Sequence, residues 1–411
     1  MEMERVVITG LGTINAIAGS VPEFSGALRN GVCGIGPVTV FDTTDFKTHT
    51  GGQIKRFDPQ EMIPAGFSTK RMSRSDIMAM AAAVEALKTA GLFPVPDELL
   101  ADTGVVIGGG AGGMLEGEEA YRQYLEAKGK GKGVRFSRFS SFCCASSADH
   151  IASKLGLMGP KTTFMTACSS GATAMGYARD LIRAGMARVV IAGGTEPLSR
   201  ITYATFNALG AVDPEFCKPF DKYRQGISLG EGAGILILES LSHARNRGAQ
   251  IHGEILGYGV SCDAHHMTAP DPQASGAVRC MRTALQDAGV HPERVDYINA
   301  HGTATPANDR METLGIKEVF GKKAYQIPVS STKSMTGHLL GGAGGLEAGI
   351  TTLVLRDQIV PPTINYENPD PDCDLDYVPQ ARRNEVGRLL VNVHGMGGGN
   401  SVLVVRKPPR C

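Results

Sequence analysis

Short runs of β-branched and apolar residues alternate along this chain with longer segments that have helical spacing. Strands joined by helical crossovers lie parallel to one another, so the alternation predicts an α/β fold with largely parallel sheets. The predicted strands are Arg5–Thr9, Gly104–Ile107, Thr162–Met165, Arg188–Ala192, Gly234–Glu239, Asp296–Asn299, Pro328–Ser330 and Leu389–Val393. The predicted helices are Ser73–Ala90, Ser169–Ala184, Gly276–Ala288, Asp309–Phe320 and Gly344–Leu355.

The two parts of the chain repeat a similar order of elements. A glycine-rich turn leads into a strand at Leu229–Glu239 and again at Gly395–Val405. Each part also has a strand, a turn of small residues and a helix, around Cys168 and around Lys333. Glycine turns between strands are common, so the pattern by itself also fits chance. Interpreted as a duplication, it predicts an N-terminal domain of residues 1–250 and a C-terminal domain of residues 251–411.

The composition excludes several classes of protein. The 41 basic and 41 acidic residues cancel, so no overall charge attracts nucleic acid or an anionic membrane. The apolar runs are far shorter than the roughly 20 residues that span a bilayer, and the N-terminus has no apolar signal core. Nine cysteines scattered along the chain indicate reduced thiols rather than a disulfide framework. We therefore expect a cytoplasmic protein that binds neither nucleic acid nor membrane.

One cysteine has a sequence context that favours chemistry. The motif Thr166-Ala-Cys-Ser-Ser-Gly171 follows an apolar strand and precedes a helix rich in small residues. The N-terminus of a helix stabilises a thiolate, so Cys168 is predicted to have a lowered pKa and to act as a nucleophile. The alternative is a buried structural cysteine.

Two histidines also follow predicted strands. His301 comes directly after the strand Asp296–Asn299, and His338 shares a glycine-rich turn with Lys333. The carboxyl ends of parallel strands are where α/β sheets place their sites. Each histidine alone also fits an ordinary polar loop, but the three side chains together predict one site with Cys168.

Several long motifs follow one another over nearly the whole chain. They are Val7-Ile-Thr-Gly-Leu-Gly12, Thr166-Ala-Cys-Ser-Ser-Gly171, Gly193-Gly-Thr-Glu196, Lys218-Pro-Phe-Asp221, His301-Gly-Thr-Ala-Thr-Pro306, Ser331-Thr-Lys-Ser-Met-Thr-Gly-His338 and Pro361-Pro-Thr-Ile-Asn365. In this order they resemble the motifs of the condensing enzymes of the thiolase superfamily, and among them the elongating β-ketoacyl synthases. The resemblance implies a duplicated αβαβα layered fold with two five-stranded mixed sheets.

The resemblance also implies a mechanism. Cys168 would take an acyl group from the phosphopantetheine thiol of a carrier protein. His301 and His338 would then stabilise the enolate that malonyl carrier protein leaves after losing CO₂. The backbone N–H groups of Cys168 and Met396 would form the oxyanion hole, and Lys333 would orient the site. No metal or bound cofactor is implied.

The supporting residues that the resemblance implies are Glu347, as the carboxylate partner of Lys333, together with Asp309 and Glu312. The same resemblance implies that Ala111 and Phe206 line the acyl pocket.

The chain departs from its family in the loop that gates acyl access. Met396 replaces the usual phenylalanine, Gly399 the usual threonine, and Met165 an aspartate that commonly precedes the cysteine motif. Ala111 stands where a branched residue often narrows the pocket. Since methionine repacks around differently shaped chains, one hypothesis is an unusual acyl group in a specialised lipid or polyketide pathway. The other is neutral drift in ordinary fatty acid synthesis.

The implied partner is an acidic acyl carrier protein. Lys70, Arg71 and Arg74 cluster at the start of a helix and form the candidate carrier surface, with Lys130 and Lys132 as alternatives. A solvated helix face would look the same. The resemblance implies a homodimer, and a heterodimer is the alternative.

Two other functions compete with this interpretation. The first is a non-catalytic chain-length-factor subunit, a class that characteristically lacks the nucleophile present here. The second is an acyltransferase that releases no CO₂.

Overall fold

The computed structural model describes residues 3–128 and 136–408. The strands are β1 Val6–Asn15, β2 Gly36–Pro37, β3 Thr50–Gly51, β4 Thr103–Gly108, β5 Lys161–Phe164, β6 Val189–Glu196, β7 Gly232–Ser240, β8 Gly253–Cys262, β9 Tyr297–Asn299, β10 Val329–Ser330, β11 Ile359–Val360, β12 Arg382–Arg383, β13 Arg388–Gly395 and β14 Gly399–Arg406. The helices are α1 Val21–Arg29, α2 Pro59–Met62, α3 Arg74–Thr89, α4 Met114–Glu126, α5 Ser146–Leu155, α6 Ser170–Arg183, α7 Arg200–Ala208, α8 Leu241–Asn246, α9 Ser275–Asp287, α10 Pro306–Phe320, α11 Lys333–Thr336 and α12 Ala343–Asp357.

The main sheet repeats one topology twice. Its order is β10-β9-β13-β14-β8-β1-β7-β6-β4-β5. In the first half, β5, β4 and β6 are parallel while β7 and β1 are antiparallel, and in the second half β10, β9, β13, β14 and β8 repeat this pattern. The predicted α/β class and the duplicated fold are confirmed.

The expectation of two separate five-stranded sheets is wrong in one respect, because the two sets join into a single ten-stranded sheet. The junction is a short ladder between β1 and β8, in which Val7 pairs with Glu254 and Ile8 with Gly253. Val7 and Glu254 are both buried. Backbone groups in the interior need hydrogen-bond partners, so the two inner edges pair with each other rather than remain separate.

The layers alternate between helices and strands. Helices α3 and α5 cover the outer face of the first half, and α9 and α10 cover the outer face of the second half. Helices α6 and α12 pack against each other between the two halves. Gly171 on α6 is required there, because a Cβ on it would lie 2.6 Å from the backbone nitrogen of Gly345. This close crossing brings the start of α6 next to the loop that precedes α12.

Strand β8 (Gly253–Cys262) was not among the predicted strands. Its sequence contains Gly257 and Gly259, and glycine lowers the apparent strand propensity of a segment. Both glycines are required by packing, since a Cβ on Gly257 would lie 2.3 Å from the carbonyl oxygen of Ala284 on α9. The contact that obscures the strand pattern is therefore a tertiary one.

Within residues 3–128 and 136–408, no helix has both the length and the apolar character needed to cross a membrane.

Candidate active site

Cys168 lies in a tight turn between β5 and α6. The turn Ala167–Ser169 is held by side-chain hydroxyls: Ser169 Oγ donates to the carbonyl oxygen of Thr166 at 2.7 Å, and the Thr166 N–H donates to Ser170 Oγ at 2.9 Å. Ala167 adopts a left-handed φ of 52°, which is costly for a residue with a Cβ. The small polar residues of the motif thus hold a strained turn that presents the sulfur to a cavity.

The expectation of a lowered pKa for Cys168 is wrong in this structure. Burial raises the pKa of the Cys168 thiol to about 11, although a backbone hydrogen bond from Met396 and the charge of Lys333 act in the opposite direction. The cost of removing a thiolate from water is larger than the stabilisation that we expected from the helix N-terminus. The resting cysteine is therefore a protonated thiol.

His338 is the nearest side chain to that thiol. Its Nε2 lies 3.1 Å from Cys168 Sγ. Its Nδ1 accepts the backbone N–H of Leu340 at 3.2 Å, so the proton of the neutral ring is on Nε2. Burial lowers the pKa of His338 well below its usual value. His338 thus presents a neutral N–H donor to the sulfur.

His301 stands across the cavity from His338, with the two ring centroids 5.2 Å apart. Burial also lowers the pKa of His301 well below its usual value. Its position is set by Glu312, whose carboxylate accepts the backbone N–H of His301 at 2.9 Å and the backbone N–H of Gly302 at 2.8 Å. One ligand-type atom of each of Cys168, His301 and His338 lies within 4.8 Å of the others. The three predicted residues therefore meet at one point.

Asp309 supports the same loop from the first turn of α10. Its carboxylate accepts the N–H of Ala304 at 3.2 Å and the N–H of Phe220 at 2.7 Å. Burial raises the pKa of Asp309 to about 6. Asp309 and Glu312 both act on the segment that carries His301, rather than on the cavity directly.

Lys333 forms a buried ion pair with Glu347. Lys333 Nζ donates to Glu347 Oε1, and both side chains are almost fully buried. Burial raises the pKa of Glu347 to about 7, against the opposing effect of Lys333. The predicted partnership of this lysine and this glutamate is present in the structure.

A cavity of about 210 Å³ opens above Cys168. Met396 and Phe206 line it, and the N–H of Met396 hydrogen-bonds the Cys168 thiol. Ala111 is buried and is not among the residues that line this cavity. Met165 is 68% exposed and is not among the residues that line the cavity. A role for Ala111 in an acyl pocket stays a prediction.

The structure changes the candidate carrier surface. Lys70 and Arg71 are exposed, but Arg74 is not available. Arg74 Nε lies 2.7 Å from Oε2 of the fully buried Glu231, and its guanidinium lies 3.8 Å from the centroid of the Phe57 ring. The assignment of Arg74 to an exposed patch is therefore wrong, because a buried carboxylate at a distant sequence position binds it. Lys130 and Lys132 lie outside the described residues.

Two buried residues of the site had no role in the sequence analysis. Glu196 at the end of β6 accepts the N–H groups of Gly110 at 2.9 Å and Gly341 at 2.9 Å, and burial raises its pKa to about 7. His394 lines the cavity beside His301, with ring centroids 5.7 Å apart. The sequence signals that could have marked them are the motif Gly193-Gly-Thr-Glu196, which ends at Glu196, and the glycine-rich turn that follows His394.

The contacts around Cys168 indicate a class of enzyme. A thiol at the base of a cavity can hold an acyl group, and two neutral histidines beside it can hold a developing oxyanion without protonating a carbanion. On a duplicated αβαβα fold, this combination is that of a thiolase-like condensing enzyme.

Comparisons with known proteins agree. Residues 3–244 match the family described as Beta-ketoacyl synthase, N-terminal domain, and residues 252–367 match Beta-ketoacyl synthase, C-terminal domain. The chain is 46% identical to 3-oxoacyl-(acyl-carrier-protein) synthase 2 of Synechocystis and 42% identical to that of Coxiella burnetii, in each case over 99% of both chains. The structure of the ishigamide ketosynthase/chain length factor is 38% identical, with a TM-score of 0.94 over 99% of this chain and 100% of that one.

The chain belongs to the β-ketoacyl synthase family. It is a condensing enzyme of the acyltransferase type.

Proposed function

We propose that this enzyme elongates an acyl chain held on Cys168 by decarboxylative Claisen condensation with malonyl carrier protein. The observation that carries the proposal is the contact of 3.1 Å between His338 Nε2 and Cys168 Sγ, with Nδ1 of the same ring occupied by a backbone N–H. The acyl and malonyl groups arrive on the phosphopantetheine of the carrier protein. All the other groups that the reaction needs are side chains and backbone N–H groups of this chain, so the proposal needs no metal or resident cofactor.

In the first step the Cys168 sulfur attacks the thioester carbonyl of the acyl carrier protein. The thiol has a raised pKa, so its proton is lost as the new carbon–sulfur bond forms, and the phosphopantetheine thiolate takes up that proton as the old carbon–sulfur bond breaks. The N–H of Met396 already reaches the sulfur, so it lies beside the carbonyl carbon of a bound acyl group. Together with the Cys168 N–H it would hold the tetrahedral oxyanion.

In the second step the malonyl thioester oxygen binds between His301 and His338. Loss of CO₂ breaks a carbon–carbon bond and leaves its electron pair as an enolate, which the histidine N–H groups stabilise. The enolate carbon attacks the acyl carbonyl on Cys168, and the Cys168 thiolate leaves and is reprotonated. The product is a β-ketoacyl carrier protein two carbons longer. Neutral histidines suit this step because an imidazolium would protonate the carbanion.

The chemistry is tested by loading the enzyme with a panel of acyl carrier proteins and then adding malonyl carrier protein labelled in its free carboxyl carbon. We expect an acyl adduct by intact-mass spectrometry, then release of the label as CO₂ and a product two carbons longer. Acetyl carrier protein, which has no carboxylate to lose, is the control for the second step. Acyl exchange without CO₂ release would favour the acyltransferase alternative, and an enzyme that no donor acylates would favour the partner-subunit alternative.

The same panel separates the two hypotheses about the acyl group. Met396 contributes a flexible thioether to the wall of the cavity that Phe206 also lines, which fits a long, rigid or polyunsaturated chain. A donor profile centred on ordinary saturated chains would instead favour ordinary fatty acid synthesis.

We propose that Lys70 and Arg71 contact the acidic carrier protein. The charge reversal Arg71→Glu is expected to raise the KM for carrier-bound substrates roughly tenfold, the equivalent of about 1.4 kcal/mol. Acyl-pantetheine substrates, which lack the protein, should keep their KM. The exposed Arg245 on α8 offers a matched control, Arg245→Glu. An equal change in KM for both substrates, or for both variants, would contradict a carrier surface at this position.

We also propose a homodimer, with a heterodimer as the alternative. Strand β5 lies at one edge of the ten-stranded sheet, so its outer backbone groups are available to a second chain. Exposed apolar side chains near that edge support this, among them Met165 and Tyr177. A carrier-protein partner has a precedent in the structure of a type II PKS acyl-carrier protein in complex with its ketosynthase, 33% identical to this chain. A reducing cytoplasmic location is supported by eight free cysteines among the described residues.

A further inference from the structure

His394 is a third histidine in the wall of the active-site cavity. It is the last residue but one of β13, and its side chain is almost fully buried. Its ring stands perpendicular to that of His301, at 86° and 5.7 Å between centroids. His394 takes part in neither acylation nor condensation as proposed, so another role must explain a buried histidine at this position.

One ring nitrogen of His394 faces the side-chain amide of Asn400, and the other contacts of that amide show which of its atoms is the oxygen. His394 Nδ1 lies 2.7 Å from Asn400 Oδ1, its partner across the β13–β14 ladder. The Asn400 amide cannot be reversed, because its Nδ2 donates to Asp263 Oδ1 at 2.7 Å and to the carbonyl oxygen of Gly398 at 3.1 Å. Asn400 Oδ1 is therefore an acceptor, and His394 Nδ1 must carry a proton.

The other ring nitrogen faces a buried carboxylate. His394 Nε2 is buried, lies 3.7 Å from Glu312 Oε1, and has no closer hydrogen-bond partner among the described residues. Glu312 is fully buried and accepts the backbone N–H groups of His301 and Gly302. Both nitrogens of His394 thus face acceptors, which favours the doubly protonated ring. The chain of contacts runs from His394 through Glu312 to the backbone of His301.

We propose that His394 is a positioning residue: as an imidazolium between Asn400 and Glu312, it keeps Glu312 ionised and through it holds His301 in place for the condensation step. The inference rests on the function proposed above. A buried glutamate without a cationic neighbour would take up a proton or shift toward water. Its hydrogen bonds to the backbone N–H groups of His301 and Gly302 would then weaken.

The charges around the ring are consistent with this role. Burial on its own would lower the pKa of His394, but Glu312, Asn400 and Asp263 raise it above the usual value. Burial would likewise raise the pKa of Glu312, but His394 and the His301 and Gly302 N–H groups lower it. The carboxylate of Glu347, on α12, also interacts with the ring, and the neutral imidazole of His301 touches it.

The sign of the pH effect follows from the raised pKa. The imidazolium is fully present below the ordinary histidine pKa of about 6.5 and is lost as the pH rises through the raised value in the folded enzyme. The wild-type condensation rate should therefore decline on the alkaline side. Acylation of Cys168 should not follow that decline, since it does not use His301.

The test compares His394→Gln and His394→Phe with the wild type in two single-turnover measurements, acylation of Cys168 and consumption of malonyl carrier protein by the acylated enzyme. We expect acylation to be unchanged. The second rate should fall by roughly 10-fold to 100-fold, as expected when a catalytic group is misplaced, and its alkaline decline should disappear. The matched control is His243→Gln, because His243 Nδ1 also contacts a buried glutamate, Glu239, at 2.7 Å but does not line the cavity.

A second measurement does not depend on activity. In nitrogen NMR spectra of the histidine-labelled enzyme, the ring signal that is present in the wild type and missing from His394→Gln identifies His394, and at pH 6 that signal should show both nitrogens protonated. A neutral His394 at that pH, or His394 variants that condense at the wild-type rate with the wild-type pH profile, would overturn the proposal. If the wild type itself were not acylated, the proposed function would fail instead, and the NMR result would still decide the state of His394.

Discussion

Cys168→Ala is expected to abolish both the acyl adduct and the two-carbon product, with a loss of roughly 10⁶-fold in the condensation rate. The reason is that alanine has no atom to form the thioester, and the enolate then has no acyl carbonyl to attack. Met396 and the two histidines would remain in place. Intact-mass spectrometry after incubation with acyl carrier protein measures the adduct, and radiolabelled malonyl carrier protein measures the product.

The matched control for that variant is Cys280→Ala. Cys280 is as buried as Cys168, but it lies on α9, contacts the carbonyl oxygen of Gly259 and does not line the cavity. Cys280→Ala should therefore be acylated like the wild type. An adduct that survives in Cys168→Ala would place the nucleophile elsewhere, whereas loss of the adduct in both variants would point to a folding defect that circular dichroism can detect.

Lys333→Met is expected to lower the free energy of unfolding by about 3–5 kcal/mol, because it leaves the carboxylate of Glu347 buried without its cationic partner. Both side chains of the pair are almost fully buried, so water cannot replace the lysine. Chemical denaturation at pH 8 measures the difference. At pH 5 the loss should be smaller, because protonation of Glu347 then removes the unpaired charge.

The control for the pair is an exposed one. Arg282 and Glu318 lie 3.0 Å apart on the surface, so Arg282→Met should change the free energy of unfolding by about 0–1 kcal/mol. The double variant Lys333→Met/Glu347→Leu should recover much of the stability but not the condensation rate, since the charge of Lys333 also acts on Cys168. Equal destabilisation by Lys333→Met and Arg282→Met would contradict a buried pair.

Much of the site follows from local sequence. The spacing of apolar residues predicts the order of strands and helices, and Cys168 and His301 lie in the turns after β5 and β9. His338 is separated from β10 by the short helix α11. However, β5 runs antiparallel to β9 and β10, so these strands do not end at one edge of the sheet, and the three residues meet only because the two halves of the fold pack together. The motif around Cys168 also carries its own support, because the hydroxyls that hold the turn belong to its immediate neighbours.

Other properties depend on which surfaces pack together. Arg74 is far from Glu231 in the sequence, and no local pattern indicates that the arginine is bound inside rather than exposed. The raised pKa of Cys168 depends on its burial beneath loops from the other half of the chain, which outweighs the local helix terminus. The joining of the two sets of strands depends on a ladder between β1 and β8.

His394 shows the same division within one residue. The sequence places it at a strand end beside a glycine-rich turn, which is local information. Its pairing with Glu312 and its perpendicular contact with His301 arise because β13, α10 and the loop after β9 meet in the folded chain. Periodicity and motifs report the conformation of neighbouring residues, so they determined the fold class and the reacting groups. Burial and charge pairing depend on contacts between distant segments, so only the tertiary structure decided the protonation states and the supporting partners.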